Sequence, residues 1–168
     1  MKPVFGLALI VLIAIMFWYA SAGPSEPTNY VSNKTYSNFS NLLYSYEILR
    51  YPSNVEIMDF GQLNENVTLG FVTDSWNINF GSIPGNGTYV ERSIEFTNKN
   101  DGQSKVDIRA YGNISPRIHF SQSSFVLERG EKAQVSIYLF SNNTEPGNYS
   151  GEVDVIVKKA IYNFFPIL

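Results

Sequence analysis

The stretch Ala133-Gln134-Val135-Ser136-Ile137-Tyr138-Leu139 decides the fold. Its apolar members Ala133, Val135, Ile137 and Leu139 alternate with Gln134, Ser136 and Tyr138. Successive side chains of an extended chain point to opposite faces, so this alternation describes a strand with one covered face and one wet face.

The same period recurs outward in both directions. Trp76, Ile78 and Phe80 alternate with Asn77 and Asn79. Val90, Ile94 and Phe96 are separated by Glu91, Ser93 and Glu95, and Val106, Ile108 and Ala110 by Asp107 and Arg109. Ile118 and Phe120 flank His119, Phe125 and Leu127 mark a short strand, and Tyr149, Val153, Val155 and Val157 include Glu152 and Asp154 among their polar neighbours. Turn chemistry separates these runs at Pro84-Gly85-Asn86-Gly87, Asn98-Lys99-Asn100-Asp101-Gly102, Arg129-Gly130 and Glu145-Pro146-Gly147-Asn148, where Gly and Asn accept positive φ. Strands wet on one side need a second sheet over the other. The expectation is therefore an all-β, antiparallel β-sandwich of about seven strands over residues 54–158, large enough to fold without disulfides.

The chain has 168 residues, 12 Lys and Arg against 15 Asp and Glu for a net charge of −3, one His and no Cys. Disulfides, thiol catalysis and Cys-ligated zinc are thereby excluded, and a basic nucleic-acid footprint is lacking. With 44% apolar residues the chain can build a core.

Residues 3–20 carry no charge and are mostly apolar. As a helix they reach about 27 Å, close to the thickness of a bilayer's hydrocarbon core. Two readings of residues 1–22 stand: a transmembrane anchor, with Lys2 inside and Trp18 and Tyr19 at the outer interface, or a signal peptide cleaved after Ala20-Ser21-Ala22. Both place the remainder outside, as a single-pass membrane protein or a secreted one. Asn33, Asn38, Asn66, Asn86, Asn142 and Asn148 are candidate glycosylation sites, each two residues before Ser or Thr. Asn113 is a weaker acceptor, since Pro116 follows its Ser115. With 17 Asn and 25 Ser plus Thr, chance supplies about 2.5 such sequons.

Residues 23–53, rich in Ser, Asn and Tyr, read as a stalk. Within it Phe39, Leu42, Leu43 and Tyr46 fall at helical spacing, which predicts a short helix over about 38–50. The tail over residues 159–168 is apolar and needs a cover from the stalk, the sandwich, the membrane surface or a partner.

Candidates for chemistry are few. His119 alternates with Ile118 and Phe120 and so faces solvent, away from any triad. Asn98 to Gly102 offers no calcium loop, because the register that suits Gly102 puts Ile108 where a bidentate carboxylate belongs. Gly85-Asn86-Gly87 lacks the Lys and third Gly of a phosphate cradle. Glu91 and Glu95 share one wet strand face, a spacing suited to a sugar ring but more often a solubility device. No catalytic, cofactor-binding or metal residue is assigned.

The runs Asn79-Phe80-Gly81-Ser82-Ile83, Ile94-Glu95-Phe96-Thr97-Asn98, Phe125-Val126-Leu127-Glu128-Arg129-Gly130-Glu131 and Pro146-Gly147-Asn148-Tyr149-Ser150-Gly151 resemble immunoglobulin-like sandwiches of the hydin and major-sperm-protein type, as found in exported archaeal and bacterial surface proteins. The resemblance covers about residues 75–158 and implies binding or scaffolding without naming a ligand. The functional expectation is a non-catalytic surface or envelope component with the membrane, an envelope protein or a second copy as partner. A surface-filament or archaellum-stator subunit and a secreted glycan-active enzyme are the alternatives. Met58-Asp59-Phe60-Gly61-Gln62-Leu63 also echoes Ile78-Asn79-Phe80-Gly81-Ser82-Ile83, which reads as two similar strand openings or a coincidence, with self-assembly by strand addition as the alternative.

Overall fold

The computed structural model describes residues 2–59, 77–85, 87–162 and 167. A helix, α1 (Lys2–Ser21), precedes nine strands: β1 (Thr35–Ser40), β2 (Tyr44–Met58), β3 (Ile78–Pro84), β4 (Tyr89–Thr97), β5 (Ser104–Gly112), β6 (Ile118–Phe120), β7 (Ser124–Leu127), β8 (Lys132–Phe140) and β9 (Gly147–Ala160). They form two sheets. One runs β1-β2-β9-β5-β7, with β3 joined to β2, and the other runs β4-β8-β6. Every pairing is antiparallel except β2 with β3.

The expected strand phase holds in β3 to β9. Val135, Ile137 and Leu139 of β8 are wholly buried and pack with Val153 and Val155 of β9, Val106 and Ile108 of β5, and Val55 and Ile57 of β2. Both sheets thus enclose one apolar core, an all-β arrangement compatible with a β-sandwich. Tight approach of β5 and β9 requires glycine: Gly112 and Gly151 face each other, and a Cβ on Gly151 would lie 1.9 Å from the Tyr111 carbonyl oxygen.

Three expectations are corrected. First, the helix over about 38–50 is a hairpin of β1 and β2. Asn41 Oδ1 accepts from the N–H groups of Leu43 and Tyr44 at 2.9 and 2.7 Å, and this local turn displaces a helical one. Second, β2 runs unbroken through position 54, where the stalk ends by pattern, and Val55 and Ile57 belong to the core. The third concerns the membrane span. Among the described residues no helix is long and apolar enough to cross a membrane.

Trp76, residues 60–63 of the echo and residues 163–166 of the tail lie outside the described residues. The other half of the echo is β3, whose Ile78 and Phe80 are buried and which pairs in parallel with residues 53–58 of β2.

Candidate functional site

Even-numbered residues of β2 and β9 point away from the core, yet Glu152 is fully buried and Asp154 nearly so. Register explains the arrangement. Glu152 lies between Pro52 and Tyr111, whereas Asp154 lies between Arg50 and Arg109. Arg50 reaches diagonally to Glu152, donating to Oε1 from Nε at 3.0 Å and from Nη2 at 2.6 Å. The segment over residues 24–31 closes over the cluster as a strap. Val31 N–H donates to Glu152 Oε2 at 2.8 Å, and Arg50 Nη2 donates to the Asn29 carbonyl at 2.8 Å.

Asp154 is less well served. Its Oδ1 lies 3.7 Å from Arg50 Nε and has no hydrogen-bond partner. Burial, and then the neighbouring Glu152 carboxylate, push the Asp154 carboxyl up to about 7 against the pull of Arg50 and Arg109. A cleft of about 480 Å³ opens beside it, lined by strap residues together with Ser37, Phe39, Ile48, Arg50 and Asp154. Both Glu152 oxygens are committed to hydrogen bonds, so the Arg50–Glu152 pair latches a strap on a sheet, while Asp154 is left as the incompletely partnered carboxyl that lines the cleft. Alternation correctly puts Glu152 and Asp154 on the outward face, but the cover comes from residues 121 positions away and leaves no local signal.

The turn at Asn98 to Gly102 is built on a buried side chain that sequence reading did not single out. Asn98 Nδ2 donates to the carbonyls of Gly102 and Leu127 at 2.8 and 2.9 Å, and its Oδ1 accepts from Asn100 N–H and Ser104 Oγ at 3.0 Å each. All of its amide capacity is used in joining β4 to the β5–β7 end of the other sheet.

On the outer face of the smaller sheet, Glu91, Tyr138 and His119 occupy one row across β4, β8 and β6. His119 is exposed, in keeping with its strand phase. Two strand spacings, about 10 Å between Cα atoms, separate it from Glu91. Glu91 accepts from Ser136 Oγ at 2.5 Å, and Glu95 pairs with Lys132 at 3.6 Å. The described clefts are lined by other residues. Tyr89, Tyr138, Phe140 and His119 instead form an aromatic patch around Phe140, with ring centroids 5.8, 6.4 and 5.3 Å from it.

Asn33, Asn38, Asn142 and Asn148 are all exposed, whereas Asn66 and Asn86 lie outside the described residues. Among the described residues no group of three or more His, Asp or Glu side chains is placed to hold a metal ion. No family model matches the chain, and no curated protein is measurably similar to it.

Proposed function

We propose that the chain is an exported, membrane-tethered immunoglobulin-like sandwich that serves as a non-catalytic surface or envelope component. The polarity of the fold carries this reading. One end of the β2–β9 ladder holds the pair Tyr44 and Ala160. There Asn41 Nδ2 donates to the carbonyl of Ala22, just past α1, at 2.9 Å, and Ile161 N–H donates to the Leu43 carbonyl at 2.9 Å. Leu42, Ile161 and Tyr162 are exposed at this end, and the apolar side chains of α1 from Leu7 to Met16 are exposed as well. The opposite end holds Ile57 and Gly147, with Asn148 beside them. An apolar pole that runs into an uncharged helical segment suits a lipid surface, and a polar pole bearing sequons suits the outside.

In this reading α1 lies on the membrane surface through its exposed apolar side chains and does not cross it, and the distal pole and sheet faces meet an envelope protein or a second copy. Protease added to intact cells should remove the sheets and leave a membrane-retained N-terminal fragment, while Ile10→Lys with Ile13→Lys should release the protein. A native chain recovered full-length in the soluble cell fraction overturns the proposal. Recovery from the medium with residues 1–22 missing overturns the tether and keeps export.

A further inference from the structure

Strand β8 ends at Phe140, and Phe140-Ser141-Asn142-Asn143-Thr144 turns the chain away. Ser141 points inward and is buried; its Oγ accepts from Thr88 N–H at 3.1 Å and donates to the Thr88 carbonyl at 3.0 Å. Asn143 takes φ +49, the only positive φ of a non-glycine among the described residues, and Thr144 N–H closes the turn on the Ser141 carbonyl at 3.3 Å. Ser141 turns in, Phe140 is the last outward residue of β8, and Asn142, two residues on, is exposed in the turn. Tyr89 pairs with Phe140 and Thr88 bonds to Ser141, which brings Gly87, two residues beyond the last ladder pair, beside Asn142. A Cβ at Gly87 would lie 3.4 Å from Asn142 Oδ1, an ordinary contact, so the two turns sit side by side and it is the φ of +74 at Gly87 that favours glycine. The adjoining cleft, about 510 Å³ and lined by this turn and by Gly85 and Gly87, keeps Asn142 accessible.

We propose that Asn142 carries an N-linked glycan whose first pyranose lies on the Phe140 ring and covers the aromatic patch of the smaller sheet. The proposal rests on export, because the glycan donor is met only on that route. In the attachment, Asn142 Nδ2 bonds to the anomeric carbon of a lipid-linked phosphate or pyrophosphate oligosaccharide. The bond from that carbon to the phosphate oxygen breaks, the lipid phosphate departs with the electron pair, and Nδ2 loses one proton. A pyranose has a face of weakly positive C–H groups, which matches the negative face of an aromatic ring and gives the patch a covalently tethered cover. Phe140, two residues before the acceptor, is placed to receive the first sugar, and Tyr89 and Tyr138 widen the platform.

The full chain, produced in its own cells or an N-glycosylating host, is mapped by peptide mass and compared with Asn142→Gln, Phe140→Leu and the double variant. Asn142 should be occupied. Loss of the glycan should lower Tm by about 3 °C in the parent and by much less in the Phe140→Leu background. In the parent, first-sugar proton resonances should be shifted upfield by the ring. Occupancy without coupling and without that shift overturns the stacking, and the shift decides the matter if Phe140→Leu fails to fold. An empty Asn142 beside an occupied Asn33 or Asn148 overturns this proposal while export stands. Empty sequons throughout overturn both.

Discussion

Arg50 holds Glu152 by two nitrogens, Nε at 3.0 Å and Nη2 at 2.6 Å, with the carboxylate fully out of solvent and the guanidinium only partly so. Removing one member leaves a buried charge without its partner. Arg50→Met should therefore cost about 3 kcal/mol of stability in urea denaturation, and Arg50→Met with Glu152→Met should recover most of it. Equal losses in the single and double variants would show that the pair is not what fixes the strap.

Asp154 supplies a pH dependence of defined sign. The unfolded chain releases its proton near pH 4, and the folded chain holds it to about 7, so the native state carries the extra proton between these values. The contribution of Asp154 is fully present below about pH 4 and is lost as pH rises through about 7. The stability of the parent relative to Asp154→Asn should fall between pH 5 and pH 8, by denaturation at each pH. A constant difference would contradict the buried, poorly partnered carboxyl.

Gly151 meets the Tyr111 carbonyl and the Ile114 side chain so closely that no Cβ fits. Gly151→Ala should cost about 2 kcal/mol or more, because two strands would have to separate locally. Gly102, with open space around its Cα, should accept Ala with a change under about 0.5 kcal/mol. Thermal unfolding of the two variants makes the comparison.

Val135 and Ser136 test the strand phase at adjacent positions. Val135→Asp places an unpaired carboxylate in the core and should abolish folding, as seen by circular dichroism. Ser136→Asp is a poor control because Ser136 Oγ donates to Glu91, and a second carboxylate there would repel the first. Ser136→Ala should cost about 1 kcal/mol or less.

Phe39 and Tyr46 show where sequence reading failed and why. They stand seven residues apart, which is two helical turns, but they are also directly opposed across the β1–β2 hairpin, with rings 5.7 Å apart. One spacing satisfies both structures, and only the Asx turn at Asn41 distinguishes them. In contrast, β3 to β8 were legible because each has one apolar face covered by the other sheet, and β9 keeps the same phase although Glu152, Asp154 and Ile156 are buried on its far face. β2 obscures its period because its outward Tyr44, Tyr46 and Ile48 pack in a second apolar cluster with Ile156 on the far side of the sheet. The Arg50 cluster was illegible for a related reason: its outward polarity is visible, but its cover is assembled from a strap far off in the chain. The sequon at Asn142 was readable as a motif, whereas the aromatic platform beside it depends on β4, β8 and β6 being neighbours.

The long pairing of β2 with β9 also has a mechanical meaning. Its fourteen residue pairs extend about 43 Å from the helix-proximal pole to the distal one. A tug on the distal end, resisted at α1, acts along the strands and at right angles to their hydrogen bonds. Such a load is shared across the whole ladder in shear instead of opening it one pair at a time, and the strap fastened at Asn29 and Val31 delivers that load to the middle of the sheet. If α1 is held as proposed, this ladder is the element that would carry tension along the axis joining its two ends.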